Sequence, residues 1–128
     1  MTSMSITSSE MESQMAQIGI MTLTIINKRG RVIDSFGEGK MSISKEKKEM
    51  LFIQTALQCS MQDEQDDDFG KMQFLLTKRD KSKFVCKQIS KDRIAVAIAT
   101  NLSDDITVIQ YMENLKKIYD QAYSGVNT

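Results

Sequence analysis

Apolar positions along the chain change period several times, and each change marks an element. Met11, Met15 and Ile18 recur at i, i+4 and i+7, one face of a short helix over 10–18 with Ser8 or Ser9 as its cap. Residues 1–9 are rich in Ser and Thr without periodicity and read as a frayed tail. From Met21 the period drops to two. Met21, Leu23 and Ile25 alternate with Thr22 and Thr24, a strand rich in β-branched residues. Asn27-Lys28-Arg29-Gly30 reads as a tight turn, and residues 31–36 return as a second strand that Gly37 and Gly39 end.

Ser42 or Ser44 then starts a long helix running to about Gln62, with Glu46 or Lys47 in its first turn. This helix carries two apolar stripes. Met50, Ile53, Leu57 and Met61 form one, expected to face a sheet. Phe52, Ala56 and Cys59 form the other, and Leu51 stands apart from both. One sheet covers only one stripe, so the second predicts a further partner.

Beyond the acidic segment 63–68, Gly70 opens a run of three strands. Met72, Phe74 and Leu76 alternate with Gln73, Leu75 and Thr77, Lys78 to Ser82 make a polar turn, and Phe84, Val85 and Cys86 continue as the next strand. Residues 93–100, RIAVAIAT, are almost continuously β-branched or small, the pattern of a central strand covered on both faces. Ser103, followed by Asp104 and Asp105, reads as a capped helix start. The closing helix places Val108, Tyr111, Met112, Leu115, Ile118, Tyr119 and Ala122 on one face, and Gly125 ends it. The expected core-facing strand positions are Met21, Leu23, Ile25, Phe74, Val96 and Ile98. The expected architecture is a single α+β domain over 10–125 with residues 93–100 as its central strand.

Composition narrows the chemistry. The chain of 128 residues is 41% hydrophobic and 27% charged, with seventeen basic and seventeen acidic side chains in balance. That is the profile of an ordinary globular domain, with no electrostatic demand for nucleic acid. The N-terminal stretch lacks the basic and apolar regions of a signal peptide, and no apolar run approaches a membrane span. A reducing cytoplasm is therefore expected, with Cys59 and Cys86 as free, buried thiols.

The chain has no histidine, which removes the commonest general base, the usual nucleophilic triads and most zinc sites. Gly37-Glu38-Gly39-Lys40 does not match the glycine spacing of a phosphate loop. Asp63, Glu64, Asp66, Asp67 and Asp68 are the one dense acidic cluster. They fit no register of a calcium loop and read as a solvated segment where the helix frays near Asp63. Two basic groups stand out: Lys40, Lys45, Lys47 and Lys48, and Lys78, Arg79, Lys81 and Lys83. Without Trp and with few aromatics, neither builds a stacking platform for single strands. No catalytic residue, cofactor or metal is expected, and neither nucleic acid nor membrane as partner.

The order of elements resembles that of the roadblock family and of the related longin and profilin-like domains. The strand-turn-strand Thr24-Ile25-Ile26-Asn27-Lys28-Arg29-Gly30-Arg31-Val32-Ile33 and the helix Glu49-Met50-Leu51-Phe52-Ile53-Gln54-Thr55-Ala56-Leu57 are similar to those of archaeal roadblock-like domains, over residues 10–123. The resemblance implies a five-stranded antiparallel sheet, expected in order 2-1-5-4-3 with residues 93–100 beside 20–27, and dimers formed through the long helix and an edge strand. It also implies service as a scaffold or as a regulator of small GTPases.

The leading expectation is therefore a non-catalytic, dimeric interaction module. Its interface is expected at Leu51, Phe52, Ala56 and Cys59, with Phe52 at the centre. The rival expectation is a PAS-type small-ligand sensor with a central pocket, against which the apolar inward positions argue.

Overall fold

The computed structural model describes residues 8–37 and 42–123. The chain runs α1 (Ser8–Gln17), β1 (Ile20–Ile26), β2 (Val32–Phe36), α2 (Lys45–Asp63), α3 (Asp66–Phe69), β3 (Leu75–Lys78), β4 (Ser82–Ser90), β5 (Arg93–Thr100) and α4 (Asp105–Tyr123). The strands form one antiparallel sheet in the order β2-β1-β5-β4-β3, the order expected with the roadblock resemblance.

The alternation within each strand sorts side chains onto two faces, and each face builds its own core. On one, Ala95, Ala97 and Ala99 of β5 join Leu23, Ile25, Val85 and Ile89 beneath α1 and α4, which contribute Met11, Met15, Val108, Met112 and Leu115. The three alanines leave room for the larger helix side chains. On the other face, Ile94 and Val96 join Ile26 and Cys86 beneath α2, which contributes Phe52, Ala56 and Cys59. Residues 94–99 are buried throughout, because β5 has a strand on either side and helices above and below.

The β1–β2 turn is closed by Asn27. Its Oδ1 accepts from the Arg29 and Arg31 amides at 2.9 and 3.0 Å. Gly30 adopts φ 85°, and a Cβ there would lie 2.6 Å from Ile53 Cα. Glycine thus serves twice, in the left-handed turn and in letting the turn touch the α2 backbone. A register shift at Ile25/Ile26 sets Ile26 opposite Val32, which brings Val32 beside α2.

Several sequence expectations change. The faces of α2 are reversed: Phe52, Ala56 and Cys59 lie against the sheet, whereas Met50, Ile53, Leu57 and Met61 are exposed. Leu51 is half-buried at the edge of the same inner cluster. The physical reason is fit. Thr55, Ala56 and Cys59 are small, so this face brings the helix close to the sheet, and Phe52 packs in the cluster with Ile26, Ile94 and Val96. Thr55 belongs to this buried face because its hydroxyl donates to the Leu51 carbonyl at 2.8 Å, which removes the cost of burying it.

At the start of α4, Asp104 and not Ser103 takes the cap. Asp104 Oδ2 accepts from the Thr107 amide at 2.9 Å and the Thr107 hydroxyl at 2.7 Å. Ser103 turns back and donates to the Thr100 carbonyl. At α1, Ser8 and Ser9 lie inside the first turn. Phe74 precedes β3 and is exposed, and Met21 is only half-buried. The acidic segment is no plain loop: α2 ends at Asp63, and Asp66, Asp67 and Asp68 form the first turn of α3, where acids favour the helix dipole. Residues 1–7 of the expected tail, Gly39, Lys40 and Gly125 lie outside the described residues.

Candidate interaction surface

Helix α2 begins where Ser44 Oγ accepts from the Lys47 amide at 3.2 Å, which makes Ser44, of the two serines expected to start it, the cap. It then runs across the sheet with Phe52, Ala56 and Cys59 inward. The outward face carries Met50, Ile53, Leu57 and Met61, at 55, 49, 60 and 59% exposure. Spaced i, i+3, i+7 and i+11, they form an unbroken apolar stripe about 16 Å long at the helical rise of ~1.5 Å per residue. Four large aliphatic side chains in a row exceed the scattered exposure normal on monomer surfaces. Of the residues expected at an interface, the structure brings Phe52, Ala56 and Cys59 together in the core and leaves Leu51 beside them. It is the opposite stripe that reaches solvent.

A second feature adjoins the N-terminal part of α2. Between this helix and the β1–β2 hairpin lies a cavity of about 690 Å³. Its lining includes Thr22, Thr24 and Ser35 from the strands and Phe52 from the helix, with Arg29 and Arg31 from the turn and Lys45, Lys48 and Glu49 from α2. The alternation of β1 explains the space. Leu23 and Ile25 fill the opposite face, while the short side chains of Thr22 and Thr24, both buried, leave this one hollow. The period-two pattern marks these threonines in the sequence as the polar side of a strand. Only the position of α2 shows that they line a cavity.

Neither cysteine is poised for nucleophilic work. Both are free thiols and both are buried. Burial, reinforced by the neighbouring Cys59, pushes the Cys86 thiol up to about 12, and burial followed by Asp63 raises Cys59. Both therefore stay protonated near neutral pH.

The second basic group dissolves on inspection. Lys83 is buried and its ammonium donates to the Ser103 carbonyl and to Asp105, while Lys78 pairs with Asp105 at 2.6 Å. The Arg79 guanidinium lies 6.0 Å from the Phe84 ring centroid. Lys78 and Lys83 thus fasten α4 to the sheet, whereas Arg79 lies against the hairpin and Lys81 is exposed. The sequence carried a signal for this. Lys83 shares one side of the β4 alternation with Val85 and Ile89, both fully buried, so its stem had to be buried too. Lys87, on the same side, is also buried and donates to the Gln73 carbonyl at 2.7 Å.

Among the described residues no three His, Cys, Asp or Glu side chains converge as metal ligands, and no helix is long and apolar enough to cross a membrane.

The sheet order, with one helix on one face and two on the other, defines a roadblock-like fold within the profilin-like α+β class. No protein-family model matches the chain, and no curated protein matches it in sequence. Solved structures do. MglB of Myxococcus xanthus superposes with a TM-score of 0.73 at 12% identity, covering 89% of this chain and 91% of its own. The gliding protein MglB of Thermus thermophilus gives 0.74 at 7% identity, covering 92% and 89%. A roadblock/LC7 domain from Streptomyces avermitilis gives 0.67 at 12% identity, covering 88% and 92%.

Proposed function

We propose that this chain is a non-catalytic interaction module of the roadblock type that works as a homodimer joined through the outer stripe of α2. The single observation that carries the reading is the exposed row of Met50, Ile53, Leu57 and Met61. A two-fold contact sets the same stripe against its own copy, and methionines adapt readily at such a seam. Half-buried Leu51 borders it. The stripe alone is smaller than the roughly 800 Å² per partner of a standard interface, so flanking surface must join it. One structure with this fold is of MglB in a tetrameric arrangement, which supports association as a habit of the fold. The roadblock resemblance adds a small GTPase as candidate partner and adaptor or regulator as the role. Lack of histidine and two protonated thiols support a module without chemistry of its own, and the free, buried cysteines fit a cytoplasmic setting.

Sedimentation equilibrium at tens of micromolar on the wild type and on Leu57→Glu tests this (on the order of concentrations at which weak interfaces associate). The wild type should sediment as a dimer and Leu57→Glu as a monomer with unchanged helical content, since residue 57 points away from the core. A monomeric wild type, or a variant that still dimerises, overturns the reading.

A further inference from the structure

We infer that the cavity between the β1–β2 hairpin and the start of α2 is a binding site for a small organic phosphate, an anion carried on an apolar or aromatic body. This goes beyond the interface reading and does not depend on it. The volume, about 690 Å³, lies inside the range of roughly 300–1,000 Å³ typical of small-molecule sites. The lining divides into the two parts such a ligand needs. Phe52, Ile53 and Val32 supply an apolar wall, and Thr22 and Thr24, 2 and 3% exposed, supply a polar floor.

The charge is one-sided. Arg29 and Arg31 approach from the turn and Lys45 and Lys48 from the helix, with Glu49 as the opposing acid among the described lining residues. Thr22 and Lys48 already hold interactions of their own, so the recognition assigned here rests on Arg29, Arg31, Lys45 and Thr24. With Lys48 set aside, a surplus of two positive charges remains, which suits a dianion better than a single carboxylate, and guanidinium forks match phosphate oxygens in pairs.

A local conflict in the sequence points the same way. Lys45, Lys47 and Lys48 fall in the first four residues of α2, where the helix dipole is positive, and only Glu46 among those four complements it. Cations there oppose the helix they begin. Such departures from local consistency are expected where a site is built. An anion in the adjoining cavity would relieve the repulsion and use the dipole as well.

The test is titration of the full chain at low ionic strength with phenyl phosphate, inorganic phosphate and phenol, followed by melting temperature and by backbone amide NMR. Phenyl phosphate should give a saturable rise in melting temperature below about 10 mM, growing with the logarithm of its concentration, with shifts centred on Thr22, Thr24, Gly30 and Phe52. Inorganic phosphate should bind more weakly and phenol not at all. The triple substitution Arg29→Gln, Arg31→Gln, Lys45→Gln should weaken phenyl phosphate by roughly tenfold or more, because charge-assisted bonds are lost. The near-isosteric Thr24→Val should weaken it severalfold and keep the fold if the triple variant does not. No saturable shift, equal binding of phenol, binding retained in both variants, or shifts centred elsewhere would overturn the assignment.

Discussion

Phe52 shows how one residue can be read correctly as important and still be assigned to the wrong side. Its size marks it as an anchor, and the structure leaves it 4% exposed among Ile26, Ala56, Ile94 and Val96. Phe52→Ala should cost about 3–5 kcal/mol by loss of transfer energy and an unfilled cavity, and Phe52→Glu more, since it buries a carboxylate without a partner. Urea denaturation measures both. A Phe52→Glu protein as stable as the wild type would show that this side of α2 is not core. Leu57→Glu, at an exposed position of the same helix, should leave monomer stability within about 0.5 kcal/mol. Gly30 is the backbone counterpart: its turn role is visible in Asn27-Lys28-Arg29-Gly30, whereas its contact with Ile53 belongs to the assembled fold.

At the scale of elements, the start of α4 is held by charge as well as by the packing of Val108. Asp104 is kept below the usual carboxylate range by hydrogen bonds from the Thr107 side chain and amide. Asp105 is kept low by hydrogen bonds from Lys78 and then Lys83. Because the folded values are depressed, the unfolded chain takes up protons first as pH falls. The stabilisation is therefore complete above the ordinary carboxylate range, near pH ~4, and is lost as pH falls through the lower folded values. Acid titration followed by circular dichroism should show the wild type losing stability below about pH 4. The pair Asp104→Asn, Asp105→Asn should be less stable at neutral pH and should flatten that acid limb. An unchanged acid limb in the double variant would show that other carboxylates govern it. The expected cap at Ser103 and the observed one at Asp104 differ by one residue. Lys83 draws the Ser103 carbonyl toward β4, a pull that local sequence does not reveal.

For the molecule as a whole, topology ranks the strands. β5 is flanked by β1 and β4 and covered on both faces, whereas β2 and β3 are edges and only four or five residues long. Native-state hydrogen exchange should therefore find the slowest amides between Ile94 and Ala99 and the fastest strand amides in β2 and β3. Rapid exchange in β5 would contradict its central place. If the outer stripe of α2 closes a homodimer, protection of α2 should also rise with protein concentration, while that of β5 should change little.

The hydrophobic pattern alone determined the succession of elements apart from α3, the central place of residues 93–100 and the β1–β2 hairpin, while the sheet order came with the resemblance to roadblock domains. The first three follow from the period of apolar positions and from turn residues. Tertiary structure alone decided which stripe of α2 is inside. Both stripes have helical spacing, and the choice rests on which one matches the relief of a sheet face made by Thr22, Thr24, Ile26, Cys86, Ile94 and Val96. The cavity was likewise out of reach of the sequence. A hollow is a property of the space between two elements, set by how closely Phe52 and Ala56 bring the helix to short threonine side chains on a strand well before it in the chain.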